Sequence, residues 1–239
     1  MTQTAEFRPA LIVVDFQEDF CPPNGSLAVQ DGRDITPTVN TLLALPFALK
    51  IATKDWHPQS HVSFASNHKG KQPFTDYITI VNPANPEETY KTRLWPVHCV
   101  QGTPGAELVE ELDISKVDTI IEKGQDDRVE MYSPFFDPFE KPRGCDSGLA
   151  RILRDKRITD VYVVGLAADY CVLNCAKDAF KEGFRTFIVE EGTRAVDPEG
   201  WPRVRRGLEE EGVRIVNMEG DEVRRLVAFP ASSSSSSSS

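Results

Sequence analysis

No apolar run in this sequence approaches the ~20 residues that a membrane-spanning helix needs, so no stretch of it is read as a transmembrane segment. Positive charge is scarce: 27 Lys and Arg stand against 37 Asp and Glu, a net charge of -10. An acidic surface repels phosphate backbones and anionic headgroups. That argues against nucleic acid or an anionic membrane as a partner. Cysteine is sparse and irregular, with five thiols, an odd number, and no CxxC spacing. With no signal-peptide pattern either, the expectation is reduced thiols in an intracellular, non-secreted protein of the cytoplasm or nucleus. Histidine is rarer still, and its four copies, His57, His61, His68 and His98, all fall between residues 54 and 105. There is no internal repeat and no evident linker before the final serine run, which is too low in complexity to pack a core. One domain over residues 1–230 and a disordered tail over 231–239 is the expected organisation. A chain of 239 residues with 40% hydrophobic content suffices for one substantial core.

What is present alternates. ALIVVDF, residues 10–16, is a continuous apolar run ending in an acid, the pattern of a central parallel strand with Asp15 at its carboxyl end. Further strands are expected at 50–53, 118–123, 161–164, 185–190 and 213–216. Helices are expected at 39–45, 106–112, 148–157, from Cys171 to the stop at Gly183, 201–211 and 221–228. Six strands alternating with helices predict an α/β fold: a single doubly wound domain with a six-stranded, mostly parallel sheet and helices on both faces. Two long polar stretches interrupt the alternation. Residues 54–105 hold all the histidines and many prolines, and residues 125–144 are polar, aromatic and proline-containing. Long ordered loops in compact domains tend to carry function.

The stretch VYVVGLAADYCVLNC, residues 161–175, places Cys171 at a strand-to-helix turn. Free N–H groups and the positive end of the helix dipole favour an anion there, so the thiol is expected to ionise readily. The same N–H groups could hold an oxygen that becomes negative during attack on a carbonyl. Taken alone, Cys171 reads more readily as a small buried apolar residue like Cys175. Asp15 and Lys123, however, also end predicted strands, and ligands of such sheets bind beyond the strands' carboxyl ends. An acid, a cation and a thiol around one rim are the parts of nucleophilic catalysis. Asp55 and His57, two apart on an extended segment, form a metal-ligand pair with His98 and His61 as further candidates, in a set that suits zinc or iron(II). DxH pairs also occur as simple hydrogen-bonded turns, and spacing alone does not separate the two.

The stretches ALIVVDFQEDFCPPNGSLAV, ATKDWHPQSHVSFASNHKGKQPF, LWPVHCVQGTPGAEL, IIEKGQD, VYVVGLAADYCVLNCAKDAFKEGF and GTRAVDP together resemble the nicotinamidases of the isochorismatase-like cysteine hydrolase superfamily, and the fungal branch most of all. They span residues 10–198. The resemblance implies a catalytic triad of Asp15, Lys123 and Cys171. It implies one divalent metal ion, zinc with iron or manganese as alternatives, on Asp55, His57 and His98. His61 matches a ligand of some bacterial members and is read here as a hydrogen-bonding neighbour of the ligands or of a bound water. Phe20, Trp95 and Tyr170 would wall the substrate ring. A cis bond at Leu166–Ala167 would turn the Ala167 N–H beside that of Cys171 to complete an oxyanion hole. The implied activity is hydrolysis of nicotinamide, and of pyrazinamide, feeding NAD salvage, by a protein compatible with homo-oligomers. Two rivals stand beside it: an N-carbamoyl amidohydrolase of the same fold, without metal, and a catalytically silent binding protein.

Overall fold

The computed structural model describes residues 6–229; the serine run lies outside the described residues. Six strands form one all-parallel sheet: β1 (Pro9–Val14), β2 (Leu49–Asp55), β5 (Thr119–Lys123), β6 (Asp160–Leu166), β7 (Arg185–Arg194) and β8 (Arg214–Val216), in the order β5-β2-β1-β6-β7-β8. Five α-helices accompany them: α1 (Thr36–Ala44), α2 (Leu149–Asp155), α3 (Cys171–Lys181), α4 (Trp201–Glu211) and α5 (Asp221–Val227).

The period-two rule decides which side chains meet which helices. Along β1, Leu11 and Val13 face one core with Val39, Leu42 and Leu43 of α1 and Val223 and Leu226 of α5. Ala10, Ile12 and Val14 face the other, with α2, α3 and the Leu208 side of α4. Both faces are covered, which is why β1 reads as an unbroken apolar run. Each large aliphatic side chain buried this way stabilises the fold by roughly 1.5–3 kcal/mol. Helix α3 presents Val172, Cys175, Ala176 and Ala179 inward. Phe180, placed on that face by spacing, is 40% exposed instead.

Two expectations fail. Residues 106–112 form no helix beyond a 3₁₀ turn at Pro104–Ala106. Their backbone is engaged elsewhere: Glu18 N–H donates to the Glu107 carbonyl and Val109 N–H to the Phe16 carbonyl, both across to the loop after β1. Residues 54–105 are also not all loop. Within them β3 (Tyr77–Asn82) and β4 (Asn85–Arg93) pair as an antiparallel hairpin outside the main sheet. Residues 125–147 are irregular, as expected.

The chain runs outward from β1 through β2 to β5, then returns to place β6 on the other side of β1. That reversal is the topological switch point, where an open parallel sheet leaves a crevice at its carboxyl edge. Gly165 permits the tight approach there. Its φ is +119°, and a Cβ on it would stand 2.0 Å from the Val14 carbonyl oxygen.

Candidate active site

Lys123 ends β5 and reaches across the end of β2 towards β1. Its Nζ lies 2.5 Å from Asp55 Oδ1, 3.0 Å from Asp15 Oδ2 and 3.7 Å from Cys171 Sγ, and it donates to the Met131 carbonyl at 3.1 Å. All of these side chains are buried. The three residues that end predicted strands therefore converge. Asp15 follows β1 with a left-handed φ of 47°. Thr53 of β2 holds it twice, accepting from the Asp15 N–H at 3.1 Å and donating to Oδ1 at 2.6 Å. Oδ2 accepts no hydrogen bond although it is fully buried. An Asp15 carboxylate oxygen and Cys171 Sγ belong to a group of atoms within 4.8 Å of one another, so Asp15 is within reach of the thiol.

Burial works against charge at Lys123, yet Asp15 and Asp55 outweigh it and hold the ammonium well above its ordinary range. Burial pushes Asp15 up against the pull of Lys123. It also drives the Cys171 thiol well above its usual range, with Lys123 only partly offsetting and Asp15 adding to the rise. Burial thus works against the ready thiolate that the start of α3 suggests, and Lys123 is the neighbour that pulls the thiol back down. Burial pushes the other thiols up as well. All five cysteines are free, and burial pushes Cys21 up to about 12 and Cys145 up to about 11.

The Leu166–Ala167 bond is not cis; the cis bonds are Pro22–Pro23 and Lys141–Pro142. The turn is made by positive φ at Gly165 and at Ala167, the latter 60°. Even so, the Ala167 and Cys171 N–H groups have no acceptor among the described residues, while the Tyr170 and Val172 N–H groups between and beyond them bond to the Ala167 carbonyl. Two unspent donors beside the thiol suit an oxyanion.

One donor atom from each of Asp55, His57 and His98 lies within 4.8 Å of the others. Their ring nitrogens are oriented for a metal. His57 Nδ1 donates to the Gly124 carbonyl at 2.8 Å and His98 Nδ1 to the Pro96 carbonyl at 2.8 Å, leaving each Nε2 as a lone pair. His57 Nε2 is buried without a partner, 3.6 Å from Asp55 Oδ2. Burial would lower His57, but Asp55 outweighs it and lifts the ring above its usual range. Burial brings His98 down to about 4, keeping it neutral and available as a donor. The residues fit a divalent ion. Asp55 itself is pinned by Gln17, whose amide donates to the Asp55 carbonyl and accepts from its N–H, both at 2.8 Å.

His61 is not among the three converging donors. Its Nδ1 meets Ser63 Oγ at 2.8 Å and its Nε2 the Val129 carbonyl at 3.1 Å, so both nitrogens are occupied, and its ring stacks on His57 at 3.9 Å. The expected hydrogen bond to a ligand or its water is replaced by this stacking. Gly124 packs against the opposite part of the His57 ring. A Cβ there would lie 2.4 Å from His57 Cε1, at a φ of +68°. Gly124→Ala is expected to displace His57 and weaken metal binding on the order of 100-fold without touching a ligand. Metal content after dialysis against a weak chelator measures this; full retention would show that His57 tolerates the shift.

Phe20, Trp95 and Tyr170 all border the cavity in front of Cys171. Tyr170 meets Trp95 edge-on at 4.8 Å, and Phe20 lies 5.5 Å from the His98 ring. Sequence reasoning missed Tyr132 and Glu130 on the same wall. The Tyr132 hydroxyl bridges Trp95 Nε1 at 3.0 Å and Thr92 Oγ1 at 2.9 Å, fastening the wall to the unforeseen hairpin. Only the aromatic character of residues 125–144 hinted at it.

The Isochorismatase domain matches residues 9–219, nearly the whole described chain. The chain is a member of the isochorismatase family. Among its relatives in that family are nicotinamidases. The nicotinamidase of Acinetobacter baylyi is 44% identical over 191 residues, covering 80% of this chain and 83% of that protein. The nicotinamidase of Schizosaccharomyces pombe is 34% identical over 213 residues, covering 88% and 94%. Among solved structures, yeast nicotinamidase bound to the inhibitor nicotinaldehyde superposes with a TM-score of 0.82 at 33% identity, covering 87% of this chain and 99% of that one. The pyrazinamidase of Pyrococcus horikoshii in complex with zinc gives 0.66 at 34% identity, covering 88% and 99%. The leaning towards the fungal members of the family does not hold in sequence identity, where the bacterial protein exceeds the yeast one.

Proposed function

We infer that this isochorismatase-family chain is a nicotinamidase: a metal-dependent cysteine amidohydrolase that converts nicotinamide to nicotinate and ammonia, accepts pyrazinamide, and serves NAD salvage. The observation that carries this reading is the adjacency of two sets, Asp15–Lys123–Cys171 and Asp55–His57–His98, joined by the Lys123–Asp55 contact of 2.5 Å. A same-fold amidohydrolase without metal has no need of two histidines with Nδ1 spent on carbonyls and Nε2 left open.

A divalent ion on Asp55, His57 and His98, zinc or else iron or manganese, would supply a Lewis acid that receives the pyridine nitrogen and orients the ring. The aromatic wall of Phe20, Trp95 and Tyr170 holds the ring and excludes water. Asp15 Oδ2 takes the Cys171 proton while Sγ bonds to the carboxamide carbon, and the carbonyl oxygen becomes negative against the Ala167 and Cys171 N–H groups. Asp15 then returns the proton to the amide nitrogen as the C–N bond breaks, and ammonia leaves a thioester. A water molecule gives a proton to Asp15 and adds to the thioester. The C–S bond breaks, Cys171 recovers the proton and nicotinate departs. Lys123 remains charged throughout and keeps Asp15 an anion whenever the proton is on sulfur.

Ammonia release from nicotinamide tests the reading. Activity is expected in the purified protein, to fall on chelation and to return with added divalent metal. A metal-free preparation with full activity would favour the rival amidohydrolase.

A further inference from the structure

The stretch GTRAVDP, residues 192–198, takes no part in the reaction above, yet it is bonded to the turn that supplies the oxyanion donors. Its first half closes β7, where Thr193 and Arg194 pair with Gly165 and Leu166 of β6. Its second half leads into α4. The Asp197 carbonyl accepts the Trp201 N–H, and Asp197 Oδ1 accepts the Gly200 N–H, both at 3.1 Å. Trp201 in turn packs against the core that holds Ala167 and Cys171. The stretch is therefore anchored at both ends, by the sheet and by a helix.

The oxyanion turn is strapped to it twice. Ala168 N–H donates to the Arg194 carbonyl at 2.8 Å. The Asp169 carboxylate then spans the gap with both oxygens: Oδ1 accepts the Val196 N–H at 2.8 Å and Oδ2 the Asp197 N–H at 2.9 Å. Bonds inside the turn, from the Tyr170 and Val172 N–H groups to the Ala167 carbonyl, shape it; those of Ala168 and Asp169 tie it to a second element. Ala167 has need of that tie. Its φ of 60° is left-handed, which a residue with a Cβ keeps only where its surroundings enforce it. Val196, held by the same carboxylate, borders the cavity in front of Cys171.

We propose that Asp169 is a positioning residue for the oxyanion hole. By clamping the turn from Ala167 to Tyr170 onto the segment leading into α4, it holds the Ala167 N–H where the negative oxygen forms. It acts through the backbone and touches neither substrate nor the reacting atoms. The proposal rests on the cysteine-hydrolase reading given above.

The experiment compares full-length, metal-loaded wild type with Asp169→Ala and Asp169→Asn. Two ligands, titrated by calorimetry, separate the oxyanion from the ring. With pyridine-3-carbaldehyde, Sγ bonds to the aldehyde carbon, the thiol proton passes to Asp15, and the aldehyde oxygen becomes negative in the hole. 3-Methylpyridine offers the ring with no oxygen. Asp169→Ala is expected to lose kcat/KM for nicotinamide and aldehyde affinity together, each about 10–100-fold, the scale of a misaimed donor. Its affinity for 3-methylpyridine should stay within about twofold of wild type. Its Tm should stay close to wild type, because the Asp197 contact lies at the surface, where water takes over the freed N–H. Asparagine keeps one acceptor and should restore part of both losses; it carries the same comparison if alanine fails to fold. A purely structural role would lower Tm and weaken both ligands alike, and that result overturns the proposal. Variants that match an active wild type in kcat/KM and aldehyde affinity remove the proposal alone. A wild type that neither hydrolyses nicotinamide nor binds the aldehyde removes the cysteine-hydrolase reading and the proposal with it.

Discussion

Cys171→Ala should lose nicotinamide hydrolysis by ~10⁴-fold or more, the scale seen when a covalent nucleophile is deleted. Binding of nicotinamide should be nearly unchanged. The two effects separate because, on the proposed reading, the ring is held by Phe20, Trp95 and Tyr170, which line the cavity beside Cys171, and by the Asp55, His57 and His98 centre, not by Sγ. The loss of one sulfur atom at the first turn of α3 leaves the packing of Val172, Cys175 and Ala176 in place. The variant should therefore fold, retain metal and bind ligand, measured by titration calorimetry, with no ammonia released. Appreciable turnover would end the thioester mechanism. A variant that also failed to bind nicotinamide would mean that the sulfur has a share in holding the ring.

Lys123→Met is the second large effect, and it should appear in stability as well as rate. Its Nζ stands between two buried carboxylates, Asp15 and Asp55. Removing one partner of a buried ion pair costs about 3–5 kcal/mol, since the other charge is left uncompensated. The pH dependence follows from the directions of the shifts. Asp15 is already raised by burial against the pull of Lys123, so loss of the lysine raises it further. Asp55 is depressed in the intact site: burial would raise it, and Lys123 and His57 outweigh that. Without Lys123 it too moves upward. A carboxyl whose folded pKa exceeds the unfolded ~3.9 contributes stability that is fully present below that value and lost as pH rises through the folded pKa. Wild-type Asp55, being depressed, contributes in full above ~3.9, so the deficit of metal-free Lys123→Met should already be present at pH 5 and grow further towards pH 8, read as the difference in Tm from wild type. Turnover should fall sharply, and Cys171 should alkylate more slowly near neutral pH, with Cys171→Ala giving the background of the other four thiols. A deficit that does not vary with pH, together with an unchanged alkylation profile, would remove Lys123 from the triad.

The parts of this site that sequence revealed share one property: each lies at an element boundary that a local pattern marks. Asp15 ends the apolar run of β1, Lys123 the run of β5, and Cys171 opens the amphipathic α3. Asp55 and His57 likewise sit where β2 ends. What stayed hidden depends on contacts between distant loops. Glu130 and Tyr132 acquire their places only because Tyr90, Thr92 and Trp95 come to them from the hairpin side. The hairpin itself was masked by prolines at its turn and edges, and β3 exposes much of its surface, so its alternation is weak. Residues 106–112 looked helical because apolar spacing cannot show that the backbone would be claimed by Glu18 and Phe16. The upward push on the Cys171 thiol was hidden for a related reason: a helix N-terminus is visible in sequence, whereas burial beside two acids is not.

The central position of β1 bears on how the chain is made. This strand is the first of the sheet to leave the ribosome, yet it needs neighbours on both sides, β2 and β6, the latter beginning at Asp160. At translation rates of ~5–20 residues per second, the far neighbour emerges roughly 8–30 s after β1. Throughout that interval one edge of ALIVV, an apolar segment without charge or proline, has no strand to pair with. Nascent chains of this protein should therefore carry a chaperone-dependent, aggregation-prone phase that ends abruptly when β6 inserts. The same insertion brings Cys171 to Asp15, so catalytic competence and protection from aggregation arrive in a single late event.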